Sequence, residues 1–411
     1  MIPSRRALLA GAALLAPSSV FAPAALAQSR GNQAHPPARG RQPQAPREPQ
    51  GSPASTPLGP FNTVAKQAFI YDFETGAVLM DKDADSLMPP ASMSKLMTVY
   101  IIFEMLKAGR LTMDQELPVS RRAWQMGGSK MFVDVGSQVK VSDLLRGVII
   151  QSGNDACVVF AEAIAGSEER FAELMTERGR AIGLTRSTFR NSNGWPDPDH
   201  RMTARDLATL ARRLIIDFPE FYPIFSERVF RYNNINQENR DPLVQRGAGD
   251  GLKTGHTDES GYGLVGSSLR GSRRVIIVLN GMPSMRVRSE EAERLMDWAF
   301  REFENAVLFA AGEPVEQARV WMGTQPTVAL VPERPLTVTV PRGWRRSAEA
   351  KVVYDSPIQA PVAKGQRLGV LRMTGQGVPS LDVPLVAAQD VGPAGFVDRI
   401  GQAFRARVLG G

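Results

Sequence analysis

The sequence predicts an α+β domain followed by a small all-β domain and a C-terminal amphipathic helix. Strand-like runs stand at both ends of a long segment whose middle has helical periodicity, which indicates a sheet assembled from distant pieces of chain. From about residue 310, short β-type runs alternate with proline and glycine at fairly even spacing. The last stretch, 396–409, repeats apolar residues every four positions, which is typical of an amphipathic helix.

The N-terminus has the organisation of a secretory signal peptide. Arg5 and Arg6 precede the apolar run Ala7–Leu15, and small residues follow at 25–27, so we expect cleavage after this point. The paired arginines fit either general or twin-arginine export. No later run is long and apolar enough to span a membrane. The sequence therefore predicts a protein exported to the periplasm, with residues 1–27 removed.

Residues 28–61 are rich in proline, glutamine, arginine, glycine and serine and contain almost no large apolar side chains. Such a segment cannot bury enough surface to offset the entropy lost on ordering, which predicts a flexible basic linker. It is either a solvated spacer or a segment attracted to anionic lipid or wall polymer. The net charge of +7 suits the same anionic surfaces in an exported protein, so we do not expect nucleic-acid binding.

The chain contains a single cysteine, Cys157, so no intrachain disulfide can form. An exported protein without disulfides depends on a large hydrophobic core for its stability. Cys157 lies within the apolar run 156–160, where a small buried side chain is expected. We therefore interpret this cysteine as a core residue rather than a nucleophile.

The larger domain, predicted over 62–308, begins with a β-hairpin. Its strands are Ala68–Asp72 and Ala77–Asp81, which are joined through a turn that contains glycine. A helix follows after Pro89 and Pro90, since neither proline can continue a helix. Apolar residues cover nearly the whole circumference of this helix, which predicts that it is buried.

Helical patterns continue over 141–217, with Ser142 and Thr203 as candidate N-caps. Two strand-like runs within 262–279 follow them and belong to the predicted sheet. A further amphipathic helix is predicted over 289–305, and it ends the larger domain.

The small all-β domain is predicted over 309–392, and it contains no catalytic constellation. The C-terminal helix is predicted over 393–411 and carries arginines beside its apolar residues. A basic amphipathic helix can lie in a membrane interface, which would attach the protein to the outer face of the inner membrane. The alternative is a helix that docks on its own β domain.

Three short motifs carry candidate chemistry. Ser92 and Lys95 stand three positions apart at the start of the buried helix, so the lysine amine can reach the serine hydroxyl. That is the arrangement of a nucleophile and its base. The tripeptide Ser152–Asn154 follows an apolar run, and Lys253–Gly255 precedes a hairpin-like segment. This order of Ser-x-x-Lys, Ser-x-Asn and Lys-Thr-Gly is typical of penicillin-interacting serine enzymes.

Other active-site chemistries are disfavoured. The three histidines are His35, His200 and His256, and no His-Glu-x-x-His helix is present. A Ser-His-Asp triad would have to recruit His200 or His256, and neither lies in a motif that requires it. No phosphate-binding loop is present either. We therefore expect no metal and no cofactor, and we interpret His200 as a loop residue.

On these motifs the chain resembles the D-alanyl-D-alanine carboxypeptidases, the low-molecular-mass penicillin-binding proteins that trim peptidoglycan stem peptides. The resemblance extends from about residue 62 to the C-terminus and includes the contexts Pro-Ala-Ser-x-x-Lys and Lys-Thr-Gly-His-Thr. It implies a penicillin-binding, β-lactamase-like transpeptidase fold for the larger domain. It also implies a serine-type enzyme that removes the terminal D-alanine of pentapeptide stems, needs no cofactor and is inhibited by β-lactams.

The resemblance implies a role for each motif residue. Ser92 would attack the carbonyl carbon of the penultimate D-alanine and lose its proton to neutral Lys95. Because a free lysine has a pKa of about 10.4, burial and a nearby cation, with Lys253 as the candidate, must lower that pKa. Ser152 would relay a proton to the leaving nitrogen, and Asn154 would orient Lys95 and the substrate amide.

The resemblance also implies the residues that bind substrate. The backbone N–H groups of Ser92 and His256 would form an oxyanion hole, and Lys253 and Thr254 would hold the terminal carboxylate. Arg288 is either a further substrate-facing cation or a merely solvated charge. The predicted substrate-binding residues are Thr254, Gly255, His256 and Arg288.

Three alternative functions remain open. A D,D-endopeptidase that cuts crosslinks would use the same residues. A class A β-lactamase uses a glutamate in a Glu-x-x-Leu-Asn pattern, and none lies between Asn154 and Lys253. A wall-binding scaffold that retains the fold would not need intact motifs. The predicted function is therefore a carboxypeptidase whose partners are peptidoglycan stem peptides and β-lactams.

Overall fold

The computed structural model describes residues 51–346, 348–375 and 378–409. The predicted signal peptide, 1–27, and most of the predicted linker lie outside these ranges. The helices in the described ranges are α1 (Lys95–Lys107), α2 (Arg121–Gln125), α3 (Val141–Ile149), α4 (Asn154–Ala165), α5 (Glu168–Ala181), α6 (Ala204–Asp217), α7 (Pro242–Gln245), α8 (Met285–Glu302) and α9 (Phe396–Leu409). Short 3-10 turns lie at Ala91–Ser94, Tyr222–Ser226 and Trp344–Arg346.

The strands of the described residues form several sheets. They are β1 (Ser52–Ala54), β2 (Phe61–Thr63), β3 (Gln67–Asp72), β4 (Val78–Lys82), β5 (Glu116–Pro118), β6 (Gln138–Lys140), β7 (Val229–Tyr232), β8 (Ile235–Glu238), β9 (Gly251–Thr257), β10 (Gly261–Arg270), β11 (Arg273–Met282), β12 (Phe303–Phe309), β13 (Glu316–Trp321), β14 (Thr327–Pro332), β15 (Leu336–Pro341), β16 (Glu349–Tyr354), β17 (Ile358–Gln359), β18 (Arg367–Gly375) and β19 (Val378–Ala387).

A five-stranded antiparallel sheet is the centre of the larger domain, in the order β4-β3-β11-β10-β9. β3 and β4 are the predicted hairpin. β11 pairs with β3 in a register that runs from Val275 opposite Asp72 to Asn280 opposite Gln67. The prediction of a sheet assembled from distant pieces of chain is therefore confirmed.

The two faces of this sheet are covered by different layers, because successive side chains of a strand point in opposite directions. On β11, Ile276 and Val278 face the core that contains α1 and α3 to α6, whereas Ile277 and Leu279 face α8. α1 lies within the helical layer, and its residues 95–103 are all buried. The predicted buried helix is confirmed, and its burial fixes the position of its first turn.

The predicted helix starts agree with the structure only in part. Thr203 caps α6 as predicted, because its hydroxyl oxygen accepts the N–H of Asp206 at 3.0 Å. Ser142 is not an N-cap, because α3 begins one residue before it without a side-chain cap. α8 begins earlier than predicted, because the hydroxyl oxygen of Ser284 accepts the N–H of Val287 at 3.2 Å.

Two predicted domain boundaries differ from the structure. β1 pairs with β2 and Ala54 is buried, so the described end of the predicted linker, 51–61, belongs to the folded domain. The small β domain begins with β12 at Phe303 rather than at residue 309, because β12 pairs with β15. Six further strands, in the order β16-β18-β19-β14-β13-β17, form its main sheet around a separate hydrophobic core.

The predicted C-terminal helix is present as α9. The side-chain amide of Gln402 donates to the carbonyl of Gly323 at 3.2 Å and accepts the N–H of Met322 at 3.0 Å. Phe396 and Val397, at the start of the helix, are each 80% exposed. α9 therefore contacts its own β domain and leaves apolar side chains uncovered. Within the residues that the structure describes, no helix has the length and apolar character needed to cross a membrane.

Candidate active site

The start of α1 brings the first motif together. Ser92 lies in the 3-10 turn that precedes α1, one turn before Lys95. The amine of Lys95 donates a hydrogen bond to the hydroxyl oxygen of Ser92 at 2.8 Å. Ala91 has a φ of +48°, a left-handed conformation that is costly for a residue with a side chain. The contact expected from the one-turn spacing is present, and strained backbone lies beside it.

Lys95 is completely buried, and its amine also donates to the carbonyl of Asn193. Burial lowers the pKa of Lys95 to about 8, because desolvation disfavours the charged amine. The positive charge of Arg240 lowers this pKa further, whereas the carboxylates of Asp155 and Glu168 raise it. Lys95 is therefore far closer to neutral than a solvated lysine, and Arg240 supplies a nearby cation that the sequence did not predict.

Lys253, on β9, is the second buried lysine of the site. Its amine donates to the carbonyl of Thr254 at 3.2 Å. Burial lowers the pKa of Lys253 well below the ordinary lysine value, and the positive charges of Lys95 and Arg240 add to this effect. Protonation of one amine therefore disfavours protonation of the other, so the two lysines titrate as a coupled pair.

The second motif lies in the loop between α3 and α4. Ser152 has a φ of +65°, and its buried hydroxyl has no hydrogen-bond partner among the described residues. The backbone N–H of Asn154 donates to the carbonyl of Ser129 at 2.7 Å, and its side-chain amide donates to the carbonyl of Gly127 at 2.8 Å. The amide of Asn154 is therefore directed to this neighbouring segment rather than to Lys95.

β9 carries the third motif along the wall of the site. Thr254, Gly255 and His256 line the same cavity as Ser92. A side chain on Gly255 would come within 3.0 Å of the carbonyl oxygen of Pro90. Glycine at this position therefore lets β9 approach the turn that contains Ser92.

A cavity of about 590 Å³ at Ser92 is lined by Arg240 and Arg288. Arg288 lies in the first turn of α8 and is only 5% exposed, so the alternative of a solvated charge is wrong. Its guanidinium donates to the carbonyl of Arg240 at 3.5 Å, while its Nε has no partner in the described part of the chain. Burial lowers the pKa of both arginines. The cavity thus holds the buried cation of Arg288 and the more exposed cation of Arg240, and an anion can pair with both.

A second cavity, of about 500 Å³, shares Ser92 with the first. Trp195 forms part of its wall and is 45% exposed. The backbone N–H of Trp195 donates to the side-chain oxygens of Asn191 and Asn193 at 3.0 and 2.9 Å. These bonds hold an indole ring at the edge of the site.

The loop Asn191–Trp195 also closes against the turn that contains Ser92. Gly194 has a φ of +80°, and a side chain there would lie 1.9 Å from the carbonyl oxygen of Ala91. Gly194 therefore meets two requirements, a left-handed backbone and close contact between the two segments.

His200 is a buried structural residue. Its Nδ1 accepts the N–H of Arg190 at 3.3 Å, and its ring packs edge-on against Phe189. Burial lowers the pKa of His200 to about 4, so its ring is neutral at neutral pH. Among the residues with described positions, no group of three or more His, Cys, Asp or Glu side chains could hold a metal ion.

Asn193, Trp195 and Arg240 line or contact the site but were not predicted from the sequence. The first two lie in a polar segment between helices that ends in tryptophan and proline, a local signal of an irregular loop. Arg240 gave no comparable signal, because a cation that lines a cavity has the same sequence pattern as a solvated charge.

Comparison with known proteins identifies the family. The profile of peptidase S11, described as D-alanyl-D-alanine carboxypeptidase, matches residues 53–283. The chain belongs to this family. The protein is therefore a serine-type D-Ala-D-Ala carboxypeptidase. A second profile, described as the C-terminal domain of penicillin-binding protein 5, matches residues 303–393.

Individual relatives agree with both domains. This carboxypeptidase is 37% identical to D-alanyl-D-alanine carboxypeptidase DacC of Escherichia coli over 345 residues, which cover 82% of this chain and 86% of the relative. A crystal structure of penicillin-binding protein 5 from Haemophilus influenzae has a TM-score of 0.71 and 36% identity, with 80% of this chain and 97% of that chain covered. Penicillin-binding protein D2 from Listeria monocytogenes, in the ampicillin-bound form, has a TM-score of 0.53 and 29% identity, with 57% and 97% covered. The predicted fold class and enzyme class are confirmed.

Proposed function

We propose that this enzyme removes the terminal D-alanine from peptidoglycan pentapeptide stems through an ester on Ser92, with Lys95 as the base. The observation that carries the proposal is the 2.8 Å hydrogen bond between Ser92 and a buried lysine of lowered pKa. A neutral amine at this distance can accept the hydroxyl proton while the oxygen attacks.

The acylation step involves the second motif as well. The oxygen of Ser92 bonds to the carbonyl carbon of the penultimate D-alanine, and its proton passes to Lys95. The C–N bond then breaks as the leaving nitrogen gains a proton, which Ser152 relays through its unpartnered buried hydroxyl. Water later hydrolyses the ester, releases the shortened peptide and restores the serine hydroxyl.

The arginine-lined cavity accounts for the carboxypeptidase specificity in this proposal. Arg288 is a buried cation and Arg240 a more exposed one, and a bound anion would pair with both. Thr254 lines the same cavity and offers a hydroxyl donor, with Lys253 buried beside it on β9. A terminal D-alanine whose carboxylate binds here presents the preceding peptide bond to Ser92.

The oxyanion and the rest of the stem peptide occupy the space on the other side of the serine. The backbone N–H groups of Ser92 and His256 serve as oxyanion donors, each of which is worth about 10²- to 10³-fold in turnover in comparable sites. The stem peptide extends into the second cavity, where the exposed face of Trp195 offers apolar contact. Asn154 lines that cavity and can meet a substrate amide.

Reaction with β-lactams and a location outside the cytoplasm belong to the same proposal. A β-lactam offers an acyl carbon and a carboxylate to the same groups, and the ampicillin-bound state of the Listeria protein supports this. The signal-peptide pattern at 1–27 supports export to the periplasm. The exposed apolar start of α9 supports attachment to the outer face of the inner membrane.

Mass spectrometry of the protein without residues 1–27 tests the proposal. The protein is incubated with a pentapeptide ending in D-Ala-D-Ala and, separately, with benzylpenicillin. We expect release of one D-alanine and a penicilloyl adduct on Ser92, both of which Ser92→Ala abolishes. Ser94→Ala is the matched control, because the Ser94 hydroxyl lies in the same turn but donates to the carbonyl of Ala91 at 3.0 Å. It should still form the adduct.

Other outcomes would select the alternative functions. Rapid penicillin turnover without D-alanine release would indicate a β-lactamase. Faster cleavage of a crosslinked stem dimer than of the pentapeptide would indicate a D,D-endopeptidase. No adduct and no product would favour the wall-binding scaffold.

A further inference from the structure

Glu168 is a buried carboxylate outside all three motifs, and it contacts the loop that faces the base. It is the first residue of α5 and is 6% exposed. Its Oε1 accepts the hydroxyl of Ser192 at 2.7 Å, the backbone N–H of Ser192 at 3.1 Å and the side-chain amide of Asn193 at 3.3 Å. One oxygen therefore accepts three hydrogen bonds from two consecutive residues.

The second oxygen of Glu168 is held from another direction. Oε2 accepts a hydrogen bond from the guanidinium of Arg122 at 2.8 Å. Arg122 belongs to α2, and its guanidinium also pairs with Glu169 at 3.0 Å. Both oxygens of Glu168 are thus engaged, so the carboxylate has little freedom to move.

The Ser192–Asn193 peptide is the direct link to the site. The carbonyl of Asn193 accepts a hydrogen bond from the amine of Lys95. The carbonyl of Ser192 accepts one from the hydroxyl of Thr98 at 2.5 Å, and Thr98 lies on the same helix as Lys95. Glu168 therefore holds the N–H and hydroxyl of Ser192 and the side-chain amide of Asn193. The backbone carbonyl groups of the same two residues accept hydrogen bonds from α1.

We propose that Glu168 is a positioning residue for acylation, which holds the Asn193 carbonyl in place and thereby directs the amine of Lys95 at Ser92. The inference rests on the proposed role of Lys95 as the base. A carboxylate in the first turn of a helix also stabilises the helix through its dipole, which is the simpler structural role. That role does not explain why Glu168 is buried and makes three bonds to the loop, because Glu169 occupies the same turn while exposed.

The negative charge of Glu168 affects the pKa of Lys95, which a purely structural role would not require. Several titratable or charged groups face Lys95. They are the thiol of Cys157 and the carboxylate of Asp155 on α4, Glu168 on α5, the ring of His200 before α6, Arg240 before α7 and Lys253 on β9. Among these, the negative charge of Glu168 favours the protonated amine and so raises the pKa of Lys95. Neutralising Glu168 should therefore move the titration of Lys95 to lower pH.

The test is the pH dependence of acylation in Glu168→Gln, with Glu169→Gln as the matched control. Both variants remove one negative charge from the same helix turn and one charged partner of Arg122. Only the first removes the charge from the group that binds Ser192 and Asn193, and it replaces one acceptor oxygen with an NH2 donor that faces either these donors or Arg122. Acylation by a fluorescent penicillin is followed by stopped flow from mildly acidic to alkaline pH. We expect Glu168→Gln to lower the limiting acylation rate constant about tenfold or more, since a misdirected base forfeits part of the contribution of general-base catalysis. Its inflection should move to lower pH, whereas Glu169→Gln should follow the wild type.

Several results would overturn the inference. A Glu168→Gln profile that superimposes on the wild type would show that the carboxylate is dispensable. A slower rate with an unmoved inflection would assign Glu168 a structural role only. If Glu168→Gln does not fold, as judged by circular dichroism, Ser192→Ala replaces it, because this variant removes the 2.7 Å bond and leaves α5 intact. An unchanged rate in Ser192→Ala would then count against the inference.

A failure of the proposed mechanism would look different. If the wild-type protein is not labelled at Ser92, or if Lys95→Met retains the wild-type rate, then the assigned roles of Ser92 and Lys95 fail. In that case the inference about Glu168 fails as well, because it depends on Lys95 as the base. If the wild type is labelled and Lys95→Met is not, only the contribution of Glu168 is under test.

Discussion

The amine of Lys95 lies 2.8 Å from the hydroxyl oxygen of Ser92 and is completely shielded from solvent. The short distance allows direct proton transfer between them, and the burial provides a base that is partly neutral near neutral pH. The same contact therefore contributes both the geometry and the protonation state that the proposed acylation needs.

Replacement of Lys95 by arginine should abolish most acylation although the positive charge is kept. A guanidinium stays protonated at any workable pH, so it cannot accept the proton of Ser92. We expect the acylation rate constant with benzylpenicillin to fall about 10²- to 10⁴-fold, the usual contribution of a general base. Lys107→Arg is the control, because Lys107 ends the same helix and is 53% exposed. Near-normal acylation in Lys95→Arg would contradict the assignment.

The acylation rate should rise with pH and level off above a pKa of about 8. Only the neutral amine of Lys95 accepts a proton, and below this pKa its neutral fraction falls about tenfold for each unit of pH. Single-turnover acylation rates across this range provide the measurement. Circular dichroism at each pH checks that the decrease on the acidic side is not unfolding. A rate independent of pH through this range would exclude Lys95 as the titrating base.

Replacement of Arg288 by glutamine should weaken the processing of substrates that end in a carboxylate. Loss of a charge-assisted hydrogen bond is expected to lower kcat/KM about 10- to 100-fold. A peptide with an amidated C-terminus should show little difference between variant and wild type, because it lacks the anion. Arg286→Gln is the control, since Arg286 lies on the same helix turn and is 67% exposed. Equal losses on both peptides would argue against carboxylate recognition by Arg288.

Replacement of Gly194 by alanine should impair both stability and acylation. The new methyl group would meet the carbonyl oxygen of Ala91 and displace the turn that contains Ser92. Gly365→Ala is the matched control, because Gly365 has the same φ of +80° but no neighbouring atom within 4 Å. The control should lose about 1 to 3 kcal/mol of unfolding free energy from backbone strain alone. Urea unfolding and penicillin acylation should show a larger loss for Gly194→Ala on both measures.

The sequence predicted those parts of the fold that depend on local pattern. The hairpin β3-β4 and the cap at Thr203 follow from side-chain periodicity and from a hydroxyl one turn from its target. Boundaries were less accurate where the deciding interaction is distant in sequence. The start of the β domain at Phe303 depends on the pairing of β12 with β15. The sequence around Phe303 has no local feature that predicts this pairing.

The candidate site shows the same division. Ser92 and Lys95 share one helical turn, so their contact follows from spacing alone. Asn193 and Arg240 reach the site only when the whole domain has folded. The residues next to them in the sequence do not predict this position. Glu168 was overlooked for a related reason, because an acidic residue after a serine cap is the usual pattern of any helix start.

The pairing of β3 with β11 makes the site depend on strands that are distant in sequence. A chain that ends before residue 251 contains Ser92, Lys95 and the whole second motif, yet it lacks β9 and the two strands that attach β9 to the hairpin. Ser92 and β9 meet only when contacts between residues distant in sequence have formed, and such contacts are slow to form. We therefore expect a chain without these strands to lack hydrolase activity, and we expect activity to require the complete larger domain.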